Sequence, residues 1–160
     1  METLCVPKRG VLVRLLLEGG QGLDGEVYAP ATGPYGGPGR LIDRLNDHTE
    51  DFMPLSTAGG EVHLVNKARI LAVEVAADQE EPEEIDALGS RQVEVEVTVL
   101  GGLTLSGQLW YAMPPGQRRT LDFLNASPVF FPLLDQEKTT LVRRMSVVSV
   151  RERDAGSTRT

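Results

Sequence analysis

Two arginines and two carboxylates recur at matched places in the chain. Arg40 and Asp43 lie in "RLIDRLNDHTEDFMPL" (40–55), Arg119 and Asp122 in "RTLDFLNASPVFFPL" (119–133), and Asn46 and Asn125 follow each Asp by three residues. Two carboxylates meeting in one cleft could serve as general acid and base. An Asp three residues after an Arg on a helical turn has a simpler use, which we favour: it caps the turn or pairs with that Arg.

The other reactive side chains are sparse. His48 and His63 are the only histidines and form neither an H-x-x-x-H nor an H-x-E pattern, and Cys5 is the only cysteine. No metal site, internal disulfide or cofactor site is therefore expected. No serine stands in G-x-S-x-G, and the glycine-rich stretch from Ala29 to Arg40 lacks the Gly-Lys-Ser/Thr of a phosphate loop. The sequence points away from an enzyme.

One basic and aromatic grouping remains: Arg118, Arg119, Arg143 and Arg144, with Trp110 and Tyr111. Such residues stack bases in nucleotide and nucleic-acid sites, and they are equally enriched at protein interfaces. Adjacent residues on a strand face opposite sides, so only one of Trp110 and Tyr111 can enter the core.

The elements that must carry these residues occur twice. "VLVRLLLEGGQGLDGEVYA" (11–29) aligns without a gap on "VEVEVTVLGGLTLSGQLWY" (93–111), and "HLVNKARILAVEV" (63–75) aligns on "TLVRRMSVVSVRE" (140–152). Apolar residues alternate at period two on both sides of a Gly-Gly pair, which predicts a β-hairpin in each copy. Between these segments, Ile42 with Leu45 and Leu121 with Leu124 are three residues apart and predict a short helix with one inward face. Asn46 and Asn125 suit a helix stop because Asn tolerates the left-handed conformation. Pro54 and Pro132 then predict an edge strand or a bulge.

The chain is thus read as a tandem duplication, mainly β: repeat 1 over 10–76, an acidic solvated linker over 77–92, repeat 2 over 93–152 and a disordered tail over 153–160. Each unit has two strands, a short helix and three further strands, and the two units pack as a pseudo-dimer because about 60 residues bury too little surface alone. The opening alternating strand, the G-x-L of "GQL" (Gly107 to Leu109) with its counterpart "GEV", and the D-x-x-L-N of "DFLN" and "DRLN" resemble the Sm-like and SH3-like small β-barrels. That resemblance implies a small barrel, or a half-open roll, for each unit and carries no RNA site with it.

Composition fits a soluble globular chain, 41% hydrophobic and 24% charged with a net charge of −7. Residues 77–92 hold six acidic side chains and one arginine, a net −5, whereas residues 93–152 balance to zero. An acidic centre disfavours nucleic acid, which binds clustered Lys and Arg. No apolar run approaches the ~20 residues of a membrane-spanning helix, and a bacterial cytoplasmic protein is expected.

These readings converge on a non-enzymatic protein-interaction or regulatory scaffold module with a protein partner and no membrane; a homo-oligomer is compatible with them. The alternative is a nucleotide- or nucleic-acid-binding module on the basic, aromatic face of repeat 2. A partner surface is expected around Phe123, Arg119 and Arg143, with Trp110 or Tyr111 beside them; equally, Phe123 could fill the seam between the copies.

Overall fold

The structure, a computed structural model, describes residues 9–33, 37, 39–80, 90–112 and 120–153. It is mainly β, with ten antiparallel strands in one open sheet and two short helices. The first half contributes β1 (Arg9–Leu17), β2 (Gly22–Ala29), α1 (Leu41–Leu45), β3 (Phe52–Ser56), β4 (Val62–Asn66) and β5 (Ile70–Ala76). The second contributes β6 (Ser90–Val99), β7 (Thr104–Ala112), α2 (Thr120–Ala126), β8 (Phe130–Leu134), β9 (Lys138–Arg143) and β10 (Val147–Arg153). Among the described residues no helix is long and apolar enough to cross a membrane.

The strand order is β10-β6-β7-β8-β9-β5-β1-β2-β3-β4. Each half therefore arranges its strands in the same sequence, last-first-second-third-fourth, and the halves join where β5 pairs with β9. The joining ladder runs from Ala72↔Val142 to Ala76↔Lys138. Of the two outer edges, β4 belongs to the first half and β10 to the second.

Local chemistry explains the shared plan. Alternation places Val11, Val13 and Leu15 inward in β1, and Val93, Val95, Val97 and Val99 inward in β6, all buried. The β1–β2 and β6–β7 turns each carry two glycines at positive φ, 92° and 84° at Gly19 and Gly20, 90° and 92° at Gly101 and Gly102, a region costly for residues with a Cβ. Pro54 and Pro132 sit where the missing donor matters little, because β3 meets β2 at the single pair Glu26↔Ser56 and β8 meets β7 only at Gln108↔Leu134.

Three expectations differ in detail. Ile42 and Leu45 are both buried, but Leu121 is exposed, so α2 does not bury the apolar pair that α1 does. Asn46 ends α1 at φ −87°, ψ −4°, a right-handed conformation in which its N–H still donates to the Ile42 carbonyl. The acidic segment expected to be solvated begins with a 3₁₀ turn at Ala77–Gln79 and a buried Glu80; residues 81–89 lie outside the described residues.

The buried residues form two clusters that trade members. The first-half cluster takes in Phe130 and Leu141 from the second half. The second-half cluster takes in Leu71 and Ala72 from the first.

Candidate interaction surfaces

The residues singled out from the sequence fall in different places. Tyr111 is buried and its ring stacks on Phe123 at 5.1 Å between centroids, while Phe123 meets Phe131 edge-on at 6.1 Å. Phe123 therefore packs on the second half's own cluster. Trp110, on the opposite face of β7, is half-buried and its indole N–H donates to Gln108 Oε1 at 3.0 Å. Arg118 and Arg119 lie outside the described residues.

Arg143 and Arg144 are occupied within the fold. Arg143 is buried at the junction of the halves, where its Nε donates to the Ile70 carbonyl at 2.6 Å and a terminal nitrogen pairs with Glu18 at 2.9 Å. Burial pushes its pKa down, and Glu18 opposes that shift. Facing Phe130 across β8 and β9, Arg143 lies on the sheet face opposite Phe131, so the structure does not bring it to the Phe123 rings. Arg144 donates to the Ser127 carbonyl at 2.6 Å, just past the end of α2.

Lys67 occupies the aligned place in the first half and does the same work: its Nζ donates to the Arg44 and Asp47 carbonyls, at 2.9 and 2.7 Å, at the end of α1. Carbonyls at the end of a helix are short of donors; the Arg44 carbonyl accepts the Asp47 N–H at 3.2 Å, and Lys67 adds a charged donor to it. Burial lowers the pKa of Lys67, against the pull of Glu50 and Asp47. At the other end of α1, Asp43 accepts from the Arg40 backbone N–H at 2.9 Å and its carboxylate lies 3.7 Å from the Arg40 guanidinium. Asp43 thus caps and pairs as its spacing implies.

Glu80, and Asn46 beyond its expected place at the helix stop, do structural work that the sequence did not advertise. Glu80 accepts the N–H groups of Leu41 and Ile42, at 2.9 and 2.8 Å, in the first turn of α1. Burial raises its pKa, against those two hydrogen bonds and the charges of Arg9 and Arg40. The carboxamide of Asn46 grips Phe130 from both sides, accepting from its N–H at 2.7 Å and donating to its carbonyl at 3.2 Å. Asn125, at the matching place in α2, is exposed and has no partner among the described residues.

Among the described residues, exposed apolar side chains gather at the two ends of the sheet, with others at Leu12 and at the β6–β7 turn. On β3 and β4, Phe52, Val62 and Leu64 project from one face with Pro54, all exposed; Met53, Leu55 and Val65 point the other way into the core. At the β10 end, Leu121, Met145 and Val148 are exposed. A groove of about 680 Å³ between these ends is lined by Leu12, Arg14, Asp24, Glu74 and Lys138. Four of its charges pair internally, Arg14 with Asp24 at 3.3 Å and Lys138 with Glu74 at 2.9 Å, while Glu26 accepts from the Tyr28 hydroxyl. His48 and His63 sit on exposed segments, and His63 lies 3.5 Å from Glu61.

No protein-family model matches the chain, and no curated protein or solved structure matches it significantly.

Proposed function

We propose that the chain is a non-enzymatic protein-interaction module made of two copies of one small β unit, residues 10–76 and 93–152, packed as a pseudo-dimer. The shared strand order and the matched turn glycines support the duplication, and the short motifs of each unit resemble those of SH3-like and Sm-like small barrels. The observation that carries the reading is the apolar dress of the open sheet ends. Phe52, Val62 and Leu64 form an exposed patch beside the β4 edge, which pairs with no further strand among the described residues, and such a patch marks a protein-binding surface.

The nucleic-acid alternative loses support at Arg143 and Arg144, whose guanidinium groups are spent on backbone carbonyls and on Glu18. Phosphate binding needs cations that are free to neutralise the ligand. The acid–base use of Asp43 loses support in the same way, since that carboxylate is held by its own helix start.

A photo-crosslinking side chain placed at position 52 or 121, in the native cell, tests the proposal. Protein adducts at either position, absent from the same probe at exposed Gly59, are expected. Adducts confined to RNA or DNA, or no adducts at all, would overturn it.

A further inference from the structure

Resting on that reading, we infer that the partner is a second copy of this chain, docked head to tail so that β4 of one molecule pairs with β10 of the next. The chain already contains the template for this contact. At its internal junction, β5 with the preceding α1 of one unit meets β8 and β9 of the other. The same two surfaces recur, unmet, at the ends of the sheet: β10 with α2 matches β5 with α1, and β3 with β4 matches β8 with β9.

Aligned positions differ in burial in just this way. Phe130 and Leu141 are 0% exposed at the junction, while their counterparts Phe52 and Leu64 are 54% and 70% exposed. Thr139 is 2% exposed and its counterpart Val62 60%. On the other side of the contact, Ile42 is 7% exposed against 58% for Leu121, and Leu71 is 3% exposed against 61% for Val148. Five positions that the internal junction seals are open at the ends, and four of the five are apolar in both copies, with Val62 replacing Thr139.

Backbone geometry repeats as well. The β1–β5 ladder slips at Leu71, and the β6–β10 ladder slips at Val148 in the matching place. In the first half this bulge delivers Leu71 into the neighbouring cluster. Val148 is set up in the same way and is 61% exposed, with no further strand beyond β10 among the described residues. Asn125 stands ready to grip the backbone of Phe52 as Asn46 grips that of Phe130.

The charges have changed together. Lys138 pairs with Glu74 at the junction; the matching residues are Glu61 and Arg151, the same pair with signs reversed. Transferring the internal register puts Ser149 opposite Val65, Val150 opposite Leu64, Arg151 opposite His63 and Arg153 opposite Glu61. Glu61 would thus stand between two arginines that now share only Glu96. The buried Arg143–Glu18 pair corresponds to Asn66 and Leu100, so no unpaired charge would be sealed in.

A contact between two different surfaces is heterologous and propagates, closing into a ring or extending as a fibre according to the rotation between units. The test is sedimentation equilibrium of the full chain with Leu64→Lys and Val148→Asp, both at exposed positions. The wild type is expected to sediment as multiples of 17.4 kDa, and each variant alone as a monomer. Mixed one to one, the variants should recover a two-chain species, because one still has an intact β10 end and the other an intact β4 end. Phe52→Glu with Leu121→Glu repeats the experiment should either first variant lose its native circular dichroism. A wild type that stays monomeric to hundreds of micromolar, variants that fail to complement each other, or a loss of assembly with Leu64→Lys but not Val148→Asp would overturn the inference. The last result would mean a symmetric contact between β4 edges. A monomeric wild type that still gives protein adducts at position 52 would leave the interaction module standing and remove only the second copy as its partner.

Discussion

At the scale of single residues, three side chains hold backbone groups at places where elements meet or helices end. Asn46 supplies both a donor and an acceptor to Phe130, 84 positions away. Replacing it with Ala should cost about 1–3 kcal/mol in urea unfolding, since two backbone groups lose their partner; Asn125→Ala, whose side chain is exposed within one chain, should stay within about 0.5 kcal/mol when measured on dissociated single chains. Lys67→Met keeps the aliphatic stem but removes the ammonium from the Arg44 and Asp47 carbonyls, and should cost about 1.5–3 kcal/mol in the same measurement. Glu80 makes stability depend on pH. Burial raises its folded pKa above the ordinary 4.5, so the folded chain holds that proton more tightly and stability falls as pH rises between the two values. Measured as the difference between wild type and Glu80→Gln, to cancel the other carboxylates, wild-type stability should be relatively greatest below pH 4.5, decline through the window and then level off. A difference that is flat with pH would assign Glu80 no such role.

At the scale of elements, the two hairpins depend on glycine where strands approach closely. A Cβ on Gly25 would lie 2.5 Å from Leu55 Cδ2 and 2.6 Å from the Ser56 carbonyl oxygen, and one on Gly107 would lie 2.8 Å from Leu133 Cγ and 2.9 Å from the Leu134 oxygen. Gly25→Ala and Gly107→Ala should each lower stability by about 1–3 kcal/mol, whereas Gly59→Ala, with open space around it, should change it by less than about 0.5 kcal/mol. Thermal unfolding of the three variants checks both statements. The hairpins, the short helices and the capping Asp43 were legible in the sequence because each is written in local spacing: period two, period three to four, and an Arg-x-x-Asp step. Alternation also separated Trp110 from Tyr111. It could not say which strand lies beside β5, because a strand's pattern gives the face that is buried and not the neighbour that buries it. That is why Arg143 read as a surface cation and turned out to be sealed at the junction, and why Leu121 read as an inward residue although its face is open. Glu80 was hidden among acidic neighbours, its role visible only once α1 and the 3₁₀ turn were side by side.

At the scale of the whole molecule, the two halves share a ladder and exchange core residues, so they should melt together. Leu141 belongs by chain to the second half and by packing to the first-half cluster; Leu141→Ala should cost about 2–5 kcal/mol and displace one common unfolding transition instead of splitting it in two. The chain carries its own means of observing this. Trp110 is its one tryptophan, held half-buried on β7 with its indole N–H on Gln108. Indole emission therefore reports from β6–β10 alone, while backbone circular dichroism reports from every strand at once. The protein is in effect labelled on one side without any added dye: coincident curves mean the halves let go as one, and a lag between them gives directly the order in which they part.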